Sequence, residues 1–135
     1  MEYLDKITHL DQTLAIILRS EYKDDGIKFF TPDNFSQQLG YMKHKKGHKI
    51  VPHLHNKVSR EVSYTFEVLF IKSGKVKVNF YDGNKAYINS NILNQGDVIL
   101  LAYGGHGFEI MEDSEMIEVK QGPYLGEDDK TRFNP

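Results

Sequence analysis

The chain has 135 residues, 39% of them hydrophobic and 27% charged, which is enough to bury one core and too apolar for a disordered segment. A formal charge of -2 offers no electrostatic footprint for nucleic acid or an anionic membrane. The absence of cysteine excludes disulfides and thiolate metal sites, so any metal must be held by nitrogen and oxygen, and it fits a cytoplasmic protein, as does an N-terminus with Glu2 and Asp5 where a secretory leader would be basic.

Residues 1–12 are polar with scattered apolar positions and predict no more than an opening turn. Residues 14–18 form an aliphatic run that reads as a buried strand and is too short to cross a bilayer. After the turn signal Asp24-Asp25-Gly26, residues 27–30 make a second short strand, broken by Thr31-Pro32-Asp33. Gly40 weakens a helix, so residues 39–43 are expected to be extended. Residues 47–55 read as a strand in which Pro52 marks an edge, a bulge or a start. Residues 56–63 are a polar connection containing Lys57, Arg60 and Glu61. Residues 64–72 are the densest in aromatic and β-branched side chains. One face carries Tyr64, Phe66, Val68 and Phe70, the other Thr65, Glu67, Leu69 and Ile71, so both faces need a cover. If the Phe66 face points outward, a second subunit would supply it, and a homodimer is expected unless the N-terminal strands intervene.

Residues 75–81 alternate Lys75, Lys77 and Asn79 with Val76, Val78 and Phe80. Asp82-Gly83-Asn84 is a hairpin turn leading to a return strand at 85–93. Residues 98–102 read as another buried strand, and Tyr103-Gly104-Gly105-His106-Gly107 as a tight connection. Residues 108–111 and 116–120 are expected to form the last hairpin. The main body has no convincing helix, and short strands between Gly/Asn/Asp turns argue an all-β antiparallel sandwich or barrel. The expected organisation is a single domain over 1–135, with a core at about 14–121 and a tail at 122–135.

In a strand, His53 and His55 would project from one face, about 7 Å apart. A third imidazole and a carboxylate from neighbouring strands would complete a divalent metal site. An unpaired carboxylate inside a buried strand, as expected for Glu67, costs several kcal/mol. Gly47 followed five residues later by His53-Leu54-His55, Glu67 followed six residues later by Gly74, and then Gly96-Asp97 and Gly104-Gly105-His106 are together similar to the two motifs of the cupin superfamily of small β-barrels. The eleven residues between His55 and Glu67 exceed the usual spacer, and Ala102 stands where the second motif has proline. The resemblance covers roughly residues 40–120. It implies a cupin-type antiparallel β-barrel or jelly roll with His53, His55, Glu67 and His106 as ligands of one divalent ion (Fe, Mn, Ni or Zn), with Glu61 the rival carboxylate.

Three functions follow as expectations. The first is an isomerase or epimerase acting on a small sugar-like or carbonyl-containing substrate, with His53 or His55 as base and Tyr64 or Tyr103 as acid. The second is a non-haem iron dioxygenase with a pocket drawn from Leu69, Ile71, Phe80 and Phe108. The third is a binding or sensing module without chemistry of its own. Glu118 and Lys120 share one face of the last strand and line the cavity if that face is internal. Lys57 and Arg60, or Tyr124 and Arg132 from the tail, would sit at its mouth. His9, His44 and His48 read as solvated.

Overall fold

The structure is a computed structural model that describes residues 2–135. Ten strands carry the fold: β1 (Leu4–His9), β2 (Gln12–Leu18), β3 (Gly26–Phe29), β4 (Gly40–Lys43), β5 (Glu67–Ser73), β6 (Lys75–Tyr81), β7 (Tyr87–Asn94), β8 (Val98–Leu101), β9 (Gly105–Ile110) and β10 (Glu115–Lys120). A single turn of 3₁₀ helix, Gly126–Asp129, follows in the tail. Every strand pairing is antiparallel. The strands form a five-stranded sheet in the order β1-β2-β8-β5-β10, a three-stranded sheet β7-β6-β9 and a small β3-β4 ribbon. Among the described residues no helix is long and apolar enough to cross a membrane.

The core lies between the two larger sheets. Ala15, Ile17, Leu69, Ile71, Ile99 and Leu101 face Val76, Val78, Phe80 and Leu93. A second cluster lies on the opposite face of the five-stranded sheet, where Phe35 and Leu39 pack on Ile16, Phe66 and Leu100. Burial on both faces explains why β2 and β8 read as continuous apolar runs rather than alternating ones. It also answers which part of the chain covers the Phe66 face. The segment between β3 and β4 covers Phe66 and Val68, while Phe70 stays partly exposed beside its β10 neighbour Ile117.

Three expectations are corrected. The opening residues form a full strand, β1, rather than a turn. They are polar because β1 is the outer edge of its sheet, where only one side is paired. The hairpin between β1 and β2 turns on Leu10 and Asp11, both at positive φ without a glycine, so no turn signature marks it. Residues 47–55 form no strand. From residue 42 to residue 64 every side chain is exposed and no ladder is made after β4, because apolar residues such as Ile50 and Val51 meet no neighbouring strand within the chain. Finally, β9 and β10 are not a hairpin. β9 pairs with β6 and β10 with β5, so the chain crosses from one sheet to the other at residues 111–114. Ser114 Oγ accepts a hydrogen bond from Lys75 N at 3.1 Å, which docks that crossing on the β5–β6 turn. Gly74 makes room for it: at φ 91° it has no Cβ, and one would lie 2.3 Å from Asp113 O.

Candidate functional site

Glu67 begins β5 and points to the same side as Leu69 and Ile71, toward the opposing sheet. His106 lies on β9 opposite Phe80, so it shares the inward face with Phe108 and the buried Val78. Gly104 permits this approach. At φ 79° it passes so close to Tyr81 that a Cβ would sit 2.5 Å from the Tyr81 carbonyl oxygen. Two strands of opposite sheets thus bring one carboxylate and one imidazole together, with His106 Nε2 2.9 Å from Glu67 Oε1. Both side chains are mostly shielded, at 29% and 16% exposure.

The hydrogen bond from His106 holds the Glu67 carboxyl down at about 2, against the ordinary 4.5. Glu118, on β10 beside Glu67, is shifted the opposite way. The neighbouring Glu67 carboxylate disfavours its ionised form and pushes its carboxyl above the ordinary range. Lys120 pairs with Glu67 and Glu118 with Leu69, so this face of β10 looks toward the opposing sheet, with Glu118 itself exposed. Lys120, on the same face, reaches Asp129 at 3.4 Å. The result is a chain of titratable groups running from His106 through Glu67 to Glu118, with Lys120 and Asp129 alongside.

Of these, His106, Glu67, Lys120 and Asp129 open into a cleft of about 1210 Å³ lined by Tyr64, Tyr81, Tyr103, Phe108, Arg132 and Phe133, among others. Tyr64 and Tyr103 meet edge to face at 5.6 Å, and Tyr103 in turn anchors on Phe66. The tail closes one side: Thr65 donates to Asp129, and Phe133 packs edge-on against Tyr81 at 5.1 Å. The cleft also continues around the outer edge of β9, since Lys77 and Asn79 on the other face of that sheet line it too.

Of the residues expected to form the site, Glu67, His106, Tyr64 and Tyr103 line this cleft. His53 and His55 do not. They lie on the exposed segment, ring centroids 5.2 Å apart, with His53 Nδ1 2.9 Å from the Val51 carbonyl. Glu61, Lys57 and Arg60 share that segment and also lie outside the cleft. Among the described residues no group of three or more histidine, aspartate or glutamate side chains is placed to hold a metal ion. Glu67 and His106 offer two ligands, short of the three protein ligands a catalytic zinc ion usually takes. Thr65, Asp129 and Phe133 were not foreseen. The signal for them was faint: a charged tail whose single Phe has no periodic pattern to place it.

The class defined by fold and site is thus an all-β chain of antiparallel sheets with a carboxylate–imidazole pair in a large, partly polar cleft. No protein-family model, no curated protein and no solved structure matches the chain.

Proposed function

We propose that this chain is a cupin-like protein whose cleft takes a small sugar-like or carbonyl-containing metabolite and moves a proton on it, as an isomerase or epimerase does. The observation that carries the reading is the 2.9 Å contact between His106 and Glu67 inside the cleft. A carboxylate bonded to one ring nitrogen fixes the tautomer and orientation of an imidazole and stabilises its cation, leaving Nδ1 to accept the proton. His106 therefore replaces His53 and His55 as the proposed base. Tyr64 and Tyr103 supply hydroxyls for the opposite side of the substrate, and their rings suit the apolar face of a pyranose. Lys120 and Arg132 favour an anionic group such as a phosphate.

A divalent ion belongs to this reading only where His53 and His55 are brought to Glu67 and His106. The test is solvent exchange. The protein is incubated in D₂O with aldoses, ketoses and nucleotide-linked hexoses, and deuterium beside the carbonyl is followed by NMR. Incorporation that is lost in His106→Asn supports the proposal. No incorporation across the panel, with thermal stabilisation by one of the sugars, would instead point to a binding module.

A further inference from the structure

We infer that the exposed segment between β4 and β5 is an exchanged strand, which adds to the open edge of β9 in a second copy of this chain. The inference does not depend on the acid–base reading. It starts from two halves that each lack a partner. β9 is hydrogen-bonded only to β6 and ends its sheet. Met111 N donates to Lys75 O at 2.9 Å, which sets the phase of that ladder. The main-chain groups of residues 105, 107 and 109 then face β6, and those of His106, Phe108 and Ile110 face away from it. An open row of donors and acceptors beside exposed apolar side chains, Ile110 among them at 56% exposure, is a template for another strand.

The other half is the segment itself. Residues 44–66 contain no secondary structure, and a connection of that length is unusual in a compact domain. Its composition suits a strand better than a loop: Ile50, Val51, Leu54 and Val58 are all exposed, Leu54 at 91%. Before Tyr64, the aromatic contacts it makes are local ones, His44 on His48 and His53 on His55. Charge favours the match. From His44 to Arg60 the sequence has Lys45, Lys46, Lys49, Lys57 and Arg60 and no acid, whereas from Gly105 to Val119 it has Glu109, Glu112, Asp113, Glu115 and Glu118 and no Lys or Arg. Glu109, Glu112 and Glu115 already have lysine neighbours at 3.6–3.8 Å, but those pairs are solvent-exposed and hold weakly.

A second copy is the occupant because the segment makes no ladder with its own β9, and every copy carries both the strand and the edge. Reciprocal exchange about a two-fold axis satisfies both at once and pairs the β9 edge of each copy. The exchanged strand would run beside His106, so the partner's His53 and His55 would arrive at the rim of the neighbouring cleft.

The experiment is sedimentation velocity at micromolar concentration, paired with lysine cross-linking of a refolded mixture of ¹⁴N- and ¹⁵N-labelled chains. The expected result is twice the chain mass, with links from Lys49 or Lys57 to Lys77 joining light to heavy chains. Ile110→Pro removes an amide on the free side of β9 without breaking the β6 ladder, and is expected to halve the mass. Should that variant not fold, Val51→Pro with Leu54→Pro tests the same contact from the exposed segment. A monomer in the unmodified protein, links confined to one isotope, or a dimer that survives the substitutions would each overturn the inference.

Discussion

Asp97 and Glu67 are both shielded carboxylates, each beside a nitrogen cation or its precursor, and they do different work. Asp97 follows the β7–β8 turn and is 2% exposed. It accepts from Ser20 N at 2.9 Å, Asn94 N at 2.7 Å and Arg19 Nη1 at 3.1 Å. Arg19 also binds Asp5 at 2.9 Å and the Ile92 carbonyl at 2.6 Å. Both oxygens of Asp97 are thus used, away from any cleft residue. Glu67 has one imidazole, the neighbouring carboxyl of Glu118 and an open cleft before it. The difference is one of satisfaction. A carboxylate whose acceptor sites go to backbone amides and a guanidinium has nothing left for a ligand. One held by groups that can themselves gain or lose protons is poised for exchange.

The largest effect should come from breaking the closed network. Asp97→Ala leaves two backbone amides without their acceptor and takes one of the two carboxylates from Arg19, and denaturant unfolding should show a loss of about 3–5 kcal/mol. His106→Asn removes the contact that holds the Glu67 carboxyl down, so it should cost about 1–3 kcal/mol near neutral pH, less than Asp97→Ala, while proton exchange falls by roughly 100-fold or more. Reversal of those two outcomes would erase the contrast.

Acid separates the two sites further. The folded-state value of Glu67 lies near 2, below its ordinary 4.5, so the stability it contributes is complete above pH 4.5 and is lost as pH falls toward 2. Glu118 is shifted upward, and its contribution runs the other way, present in acid and lost as pH rises through its folded value. Glu67→Gln should flatten the decline between pH 4.5 and 2 in a thermal-melting series, and an unchanged slope would break the assignment. Smaller still is Thr65→Val, which unties Asp129 and should loosen the tail with little change in melting, read as faster amide exchange at residues 126–133. The smallest is Asp25→Ala, an exposed partner of Lys43 at 3.4 Å, with no measurable change in melting.

Much of this was legible because two-sided burial writes itself into sequence. Residues 14–18, 64–72 and 98–102 are apolar on both faces, and each contains or overlaps a central strand. The alternation at 75–81 placed Val76, Val78 and Phe80 in the core. Glu67 stood out as a carboxylate in such a run, and His106 as a side chain delivered by a glycine-rich connection. Edges were harder to read. β1 is polar because solvent covers one side of it, and its turn uses Leu10 and Asp11. Pairing was harder again: nothing in residues 108–120 says that the chain changes sheets, which depends on Ser114 meeting Lys75 from another part of the sequence. The strand expected at 47–55 shows the same limit from the other side, since side-chain pattern describes what a strand could bury but not whether a neighbour is there.

The last residues have a practical consequence. Asn134 and Pro135 line the cleft, and Arg132 beside them is bonded to Glu127. A purification handle appended after Pro135 would hang in the doorway, and an oligohistidine one would carry its own nickel there. Ligand screens and metal assays on this protein therefore call for a cleavable handle at the opposite terminus.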